Sequence, residues 1–289
     1  MSFRDKLVSG QRVLTVEAVP LKGISFAPAL EQFGSFRTRI DAVNVTDLQS
    51  STMRLCALAA AVQLKQAGME PVLQMTCRDR NRLALQADLL GAASFGIENI
   101  LALTGDHPLL GDHPGAKPVF DLDAVQLIDA ARGLESGHDM AGRPLTGAAP
   151  RFCIGAVVNP GAEPLEPELI KMEKKLAAGA SFFQTQALFD EAVAERFFKA
   201  VAPFKARILA GVVVLRSEKM ARHMNDHVPG VRIPEPLIRE LAEAADRRAV
   251  AIRQACSLIR KLGPMGQGVH LMPIGWYNVV PEILDGIGA

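Results

Sequence analysis

The fold class is decided by four short apolar runs: VLTVEAV (13–19), AVNVTD (42–47), PVLQMTC (71–77) and NILALTG (99–105), which begin 28 to 29 residues apart. Their apolar residues are continuous rather than alternating, as is typical of strands covered on both faces. Similar runs follow at FCIGAVV (152–158), FFQTQ (182–186), RILAGVVV (207–214) and GVHLMPIG (268–275). Helical spacing of apolar residues lies between them, at 51–67, 80–95, 167–180, 217–226 and 235–262. Eight β units with helices between them predict the α/β class and a single (β/α)8 TIM barrel; a doubly wound open sheet is the alternative.

The composition favours small-molecule chemistry. The 289 residues carry 32 Lys+Arg and 31 Asp+Glu, so the net charge of +1 gives no global field that would attract nucleic acid. One Trp and one Tyr are few for a platform on which single strands stack. The start, MSFRDKLVSGQ, has no apolar signal region, and no apolar run approaches the ~20 residues needed to span a bilayer. We therefore expect a cytoplasmic protein in which residues 1–289 form a single catalytic barrel domain.

Neither a metal site nor a disulfide framework is indicated. The four cysteines, at positions 56, 77, 153 and 256, form no CxxC pair, and the histidines have no tight ligand spacing such as HExxH. His270, inside the last predicted strand, is expected to be a satisfied core residue. The cluster Arg78-Asp79-Arg80 is expected to be a solvated cap of the following helix.

Polar residues at the predicted strand ends are the candidates for chemistry, because barrel active sites lie there. Glu17 stands inside the apolar run VLTVEAV, where a carboxylate is costly unless it is paired or functional. It is our candidate general acid, and a structural ion pair with Arg or Lys is the alternative. Asp106, in LTGDHP, is either catalytic or a turn aspartate. Gln186, in FFQTQ, is either a substrate-binding amide or a satisfied core amide.

Six segments along the chain resemble the methylenetetrahydrofolate reductase family. They are VEAVPLKG (16–23), VNVTD (43–47), QMTCRDRN (74–81), LTGDHP (103–108), AGASFFQTQALFD (178–190) and VRIPEPLI (231–238), in the family's order and at similar spacing. The closing segment, GVHLMPIGWYNVVPEIL, looks most like the short reductases of acetogenic and related bacteria. The resemblance implies a flavin-dependent barrel that reduces 5,10-methylenetetrahydrofolate to 5-methyltetrahydrofolate, or runs the reverse oxidation in one-carbon catabolism.

The resemblance also implies roles for individual residues. Glu17 takes the position of the acid that protonates the bridging folate nitrogen, after which hydride from flavin N5 reduces the iminium cation. Asp106 takes a position near both flavin and pterin, and Gln186 that of the glutamine that contacts pterin. The positions that match flavin-contacting ones are Thr46, Gln74, Thr104, Gly105, Asp106, Phe120, Asp121, Asn159, Glu168 and Lys175.

Several positions depart from the commoner family pattern. Gln74 replaces a His, Thr104 an Arg and Asn159 a Tyr, and these changes fall where the ribityl phosphate and adenosine half of FAD would lie. FAD is the expected cofactor, with FMN as the alternative, and NADH or NADPH is the expected electron donor. A homo-oligomer is expected, and the pathway implied is methionine biosynthesis. Two other functions stay open: a flavin-free folate-binding methyltransferase barrel, and a reductase subunit active only with a partner electron-transfer protein.

Overall fold

Eight parallel strands close into a barrel in the computed structural model, which describes residues 1–289. Each strand pairs with the next one in the chain, and β8 pairs with β1, with Thr15 opposite His270. The predicted TIM barrel is therefore confirmed, and the closure between the first and last strands rules out the open sheet. The strands are β1 (Val13–Ala18), β2 (Ala42–Val45), β3 (Pro71–Thr76), β4 (Asn99–Leu103), β5 (Cys153–Val158), β6 (Phe182–Ala187), β7 (Ile208–Val213) and β8 (Gly268–Met272).

Eleven α-helices accompany the strands, and several begin at a side chain that satisfies the free N–H groups of the first turn. Asn81 accepts from two backbone N–H groups at the start of α4, and Asp123 forms a capping box with Gln126 at the start of α5. The helices are α1 (Phe3–Val8), α2 (Ala27–Phe33), α3 (Ala57–Gln66), α4 (Arg82–Ser94), α5 (Ala124–Glu135), α6 (Glu166–Ala178), α7 (Glu191–Val201), α8 (Glu218–His227), α9 (Glu235–Glu243), α10 (Arg247–Leu262) and α11 (Val280–Ile287).

Two of the predicted helical stretches are wrong in extent. The stretch 51–67 becomes helical only at Ala57, because residues 49–51 form a short turn with left-handed backbone angles. The stretch 235–262 is two helices, since Ala244 is extended and the Asp246 side chain caps a new helix by accepting from the N–H of Ala249. Segment 215–267 is predicted to hold two helices and holds three, α8 to α10. The amphipathic helix predicted within 104–151 is α5, whereas α1, α2, α7 and α11 are not predicted.

Helix α1 closes the lower end of the barrel, where the strands begin. Phe3 and Leu7 are buried against the first inward-facing residues of the strands, and the Phe3 ring meets the Phe182 ring edge-on at 5.4 Å. The carbonyl of Leu7 accepts from Arg207 Nε and from Gln267 Nε2, both at 2.8 Å. Apolar packing and these hydrogen bonds hold α1 in place as a plug of the lower end, so the barrel is open only at the opposite end.

Candidate active site

A cavity of about 400 Å³ opens at the carboxyl ends of the strands, where the loops that follow them meet. This is the end at which barrel enzymes carry their active sites, and the volume lies in the range of small-molecule pockets. The sequence predicts twelve site residues, and eight of them line this cavity: Glu17, Gln74, Thr104, Gly105, Asp106, Asn159, Lys175 and Gln186.

Glu17 is a buried carboxyl group at the end of β1, with only 5% of the residue exposed. Gln49 Nε2 donates to its Oε1 at 3.3 Å. No Lys or Arg lies within ion-pair distance, and the His270 Nε2, 3.9 Å from Oε2, is the one basic group in range. The alternative of a structural ion pair with Arg or Lys is therefore wrong. The carboxyl group faces the cavity without a cationic side chain to neutralise it, so it can meet a ligand there.

Asp106 lies at the edge of the cavity, in the loop that follows β4. Gly105 precedes it with φ +92°, and a Cβ at Gly105 would lie 3.0 Å from the Thr76 Cβ and 3.1 Å from the Arg78 Cβ. The turn therefore needs glycine for its backbone angle as well as for its close packing. The Asp106 side chain is exposed, and its backbone carbonyl accepts from Ser51 Oγ at 3.0 Å.

Two glutamines on β6 face the barrel interior, and the structure gives them different roles. Gln184 exchanges two hydrogen bonds with Asn44 across the barrel, at 2.8 and 3.2 Å, so it is the satisfied core amide. Gln186 lies beyond it, where the pairing with β7 shifts register, and its Oε1 accepts only from the N–H of Ala187. Its NH₂ group is left to bind a ligand in the cavity.

Lys175 places a cation in the wall of the cavity from helix α6. The residue is 8% exposed, and its Nζ donates to the carbonyl of Val157 at 2.7 Å. Burial lowers the pKa of the Lys175 ammonium, and the nearby Glu168 carboxylate partly opposes that effect. Two of the three ammonium protons have no partner in the chain, so the group can bind an anion.

The Asn159 side chain is already engaged in holding loops together. Its Nδ2 donates to the carbonyl of Pro229 and its Oδ1 accepts from the N–H of Gly161, both at 3.1 Å. Its backbone N–H donates to Glu168 Oε1 at 3.1 Å. Asn159 thus shapes one rim of the cavity through the backbone it fixes.

Four of the twelve predicted residues lie outside the cavity wall. The Thr46 hydroxyl is buried and has no hydrogen-bond partner. Phe120 is in the left-handed region, with φ 41°, and stacks on the His107 ring at 6.2 Å. Asp121 accepts from three N–H groups of Arg82, and Glu168 holds the Asn159 backbone.

Arg78 is a further cavity residue, and the prediction that it forms a solvated cap of the following helix is wrong. Only 3% of its side chain is exposed, and it lines the cavity. Its guanidinium donates to Ser51 Oγ at 3.0 Å, to the carbonyl of Leu48 at 3.3 Å and to Asp79. The one available signal was its position, two residues beyond the end of β3.

Asp47 and His270 are further cavity residues that were not proposed as part of the site. Asp47 accepts from the N–H of Thr76 at 2.9 Å and its Oγ1 at 3.0 Å, and it pairs with Arg80. His270 is buried as expected, but it also lines the cavity next to Glu17.

No group of three or more His, Cys, Asp or Glu side chains is arranged to hold a metal ion. None of the helices combines the length and apolar character needed to cross a membrane.

Comparison with known proteins gives the family. The model of the family described as methylenetetrahydrofolate reductase matches residues 3–288. The chain belongs to the methylenetetrahydrofolate reductase family. The resemblance drawn from the sequence motifs is therefore confirmed.

Two curated relatives carry that family name. "Methylenetetrahydrofolate reductase 2" of Schizosaccharomyces pombe is 25% identical over 294 residues, covering 92% of this chain and 43% of the relative. "Probable methylenetetrahydrofolate reductase (NADPH)" of Caenorhabditis elegans is 28% identical over 256 residues, covering 86% of this chain and 36% of the relative. The chain thus spans less than half the length of these relatives.

Solved structures support the barrel. A Clostridium thermocellum protein described as binding two copies of 5-methyl-5,6,7,8-tetrahydrofolic acid superposes with a TM-score of 0.66 at 14% identity, covering 99% of this chain and 98% of that one. A 2,3-dimethylmalate lyase superposes with a TM-score of 0.57 at 10% identity, covering 98% of this chain and 82% of that one. At these identities the likeness establishes the fold.

Proposed function

We propose that residues 1–289 form one catalytic barrel that reduces 5,10-methylenetetrahydrofolate to 5-methyltetrahydrofolate with a bound flavin, or catalyses the reverse oxidation. The observation that carries the proposal is Glu17, a carboxyl group almost fully buried at the end of β1, in the cavity wall and without a cationic side-chain partner. Family membership supplies the substrate class, and the cavity supplies a site of suitable size.

In the proposed mechanism Glu17 is the general acid. Gln49 donates to its Oε1, which leaves Oε2 to carry the acidic proton. That proton goes to the bridging nitrogen of the folate as the bond from this nitrogen to the methylene carbon breaks, and the electron pair stays on nitrogen. The methylene carbon becomes a cationic iminium, and hydride transfer then turns it into a methyl group. In the reverse direction the Glu17 carboxylate takes the proton back.

Asp106 and Gln186 act on the folate at the other side of the cavity. The exposed carboxylate of Asp106 stabilises the positive charge that develops on the iminium. The free NH₂ of Gln186 donates to the pterin ring and fixes its orientation. Gln186 comes from strand β6 and Asp106 from the loop that follows β4, so the barrel brings both groups to the same cavity.

The residues present fit a flavin. The Lys175 ammonium lies in the cavity wall and has two protons without a partner in the chain. A polar, anionic cofactor in the cavity would satisfy them. When bound, the flavin supplies the hydride. The cavity residues that would hold it are Gln74, Thr104, Gly105, Asp106, Asn159 and Lys175.

FAD is the proposed cofactor, and FMN is the alternative. Phe120 and Asp121, which match family positions, lie outside the cavity, and Asp121 is held by Arg82. An FAD would have to reach this loop, whereas an FMN would not. We propose NADH or NADPH as the electron donor, a partner electron-transfer protein being the alternative, in a cytoplasmic homo-oligomer that serves methionine biosynthesis.

The test begins with the cofactor. We expect purified protein to show the visible absorption of a flavin, and the mass of the released cofactor distinguishes FAD from FMN. Colourless protein that binds 5-methyltetrahydrofolate would favour the flavin-free methyltransferase. Reduction of the bound flavin by NADH or NADPH in the isolated protein would exclude dependence on a partner.

The acid is tested by Glu17→Gln, with the exposed Glu195→Gln as the matched control. The enzyme is reduced chemically with dithionite and mixed with 5,10-methylenetetrahydrofolate, so the result does not depend on the natural donor. We expect Glu17→Gln to retain flavin and bind folate but to oxidise the flavin about 10²–10⁴-fold more slowly, the usual contribution of a general acid. A rate equal to that of the control would remove Glu17 from the mechanism.

A further inference from the structure

The Glu17 carboxyl group lies between two nitrogen donors inside the barrel. Gln49 Nε2 is 3.3 Å from Oε1, and His270 Nε2 is 3.9 Å from Oε2. The side chains of Glu17 and His270 are only 6% and 4% exposed. The second distance is longer than a direct hydrogen bond, but such contacts commonly tighten when the substrate binds.

The pairing of β1 with β8 explains why these groups meet. Thr15 is the register partner of His270, and Glu17 is two residues further along β1. Side chains two residues apart in a strand share a face, so Thr15 and Glu17 both point toward the barrel interior, as His270 does. One histidine on β8 therefore reaches both of them.

Thr15 fixes which nitrogen of His270 carries the proton. Thr15 Oγ1 is 2.9 Å from His270 Nδ1 and makes no other hydrogen bond. The hydroxyl proton is satisfied only if it is donated to Nδ1, because a buried donor left without a partner is costly. Nδ1 is then the acceptor, and the neutral imidazole carries its proton on Nε2, toward Glu17.

We propose that His270, set by Thr15, is a positioning residue that stabilises the negative charge on Glu17 as this acid releases its proton. The proposal rests on the proposed role of Glu17. An N–H directed at Oε2 interacts more strongly with a carboxylate than with a neutral carboxyl group. The interaction therefore grows along the proton transfer, and it accelerates the chemical step rather than folate binding.

The test compares two amides at position 270. A Gln amide reaches as far as the imidazole Nε2 and can donate to Glu17, whereas an Asn amide can meet Thr15 but falls short of Glu17. In the dithionite-reduced enzyme, we expect His270→Asn to lower the rate at saturating folate about 10- to 100-fold, with the folate concentration for half-maximal rate unchanged. His270→Gln should restore most of the lost rate.

Two further measurements separate this role from a structural one. The Gln variant should melt no higher than the Asn variant, because only the Asn amide takes the place of Nδ1 beside Thr15. The order of rates would then be opposite to the order of stabilities, which a purely structural role does not produce. In the double variant Glu17→Gln/His270→Asn, the rate should be no lower than in Glu17→Gln alone, because His270 acts only through that acid. A wild-type rate in His270→Asn, equal losses in the Asn and Gln variants, or independent losses in the double variant would each overturn the proposal.

The outcomes also separate this inference from the proposed function. If Glu17→Gln turns over folate at the wild-type rate, the proposed acid fails, and the His270 proposal fails with it. If Glu17→Gln is inactive while His270→Asn is unimpaired, only the role of His270 is lost.

Discussion

Replacing Arg78 should disturb one loop far more than it disturbs the fold. The segment that it holds contains three non-glycine residues with positive φ: Leu48 at 48°, Ser50 at 54° and Ser51 at 53°. Left-handed backbone costs roughly 1–2 kcal/mol per residue, or about 3–6 kcal/mol for the three. Arg78 donates to the Leu48 carbonyl and to Ser51 Oγ. Two charge-assisted hydrogen bonds contribute about 3–6 kcal/mol, which matches the strain.

In Arg78→Met the segment loses its anchor and at the same time releases its strain. We therefore expect the free energy of unfolding to fall by no more than about 2 kcal/mol. Amide hydrogen exchange within residues 48–52 should accelerate by at least about tenfold. Gln49 lies in this segment and donates to Glu17, so single-turnover folate reduction should slow as well. Arg78→Lys should behave similarly, since an ammonium lacks the planar fork that reaches both loop acceptors.

Urea denaturation and hydrogen exchange measured on the same samples check this expectation. Arg151→Met, which removes an exposed arginine, is the matched control and should change neither. Unaltered exchange in 48–52, or a loss of more than about 4 kcal/mol in global stability, would refute the reasoning. The first result would mean that Arg78 does not hold the loop, and the second that it supports the whole barrel.

Three more substitutions have defined outcomes. Thr46→Val should raise the free energy of unfolding of cofactor-free protein by about 1 kcal/mol in urea titrations, because the buried hydroxyl lacks a partner in the chain; destabilisation would contradict this. Gly105→Ala should lower stability by at least about 1 kcal/mol in thermal melts, since a Cβ would have to fit at φ +92° within 3.1 Å of two side chains. For Lys175, burial lowers the folded-state pKa below the ordinary 10.5. Between this lowered pKa and 10.5, the unfolded chain binds more protons than the folded chain. The contribution of Lys175 to the free energy of unfolding of cofactor-free protein therefore rises with pH across that interval. The pH-dependent difference in urea stability between wild type and Lys175→Met should show this rise, and a flat difference would contradict it.

The barrel could be predicted from sequence because its strands are covered on both faces and therefore appear as continuous apolar runs. The loops could not be predicted as well. Leu48, Ser50 and Ser51 adopt positive φ without a glycine to signal it, so residues 51–56 were mistaken for helix. The break between α9 and α10 contains neither Gly nor Pro, and it depends on the Asp246 cap.

The candidate site could be predicted from sequence where a single residue is unusual for its own segment. Glu17 is a carboxylate inside an apolar run, which is visible without any knowledge of its neighbours. His270 and Arg78 differ, because the contacts that bring them into the site are with residues distant in the chain. His270 lies beside Thr15 and Glu17. Arg78 donates to Leu48 and Ser51. A single sequence contains no record of such pairings, so these two residues were given ordinary structural roles.

The plug formed by α1 has a kinetic consequence. With Phe3 and Leu7 closing the lower end, the barrel has one entrance, through which every ligand must pass. Any molecule held deep in the cavity must arrive before one that lies above it, and it must leave afterwards. Two ligands held at different depths would therefore bind and leave in a fixed order, and a tightly held upper ligand would trap the one beneath it.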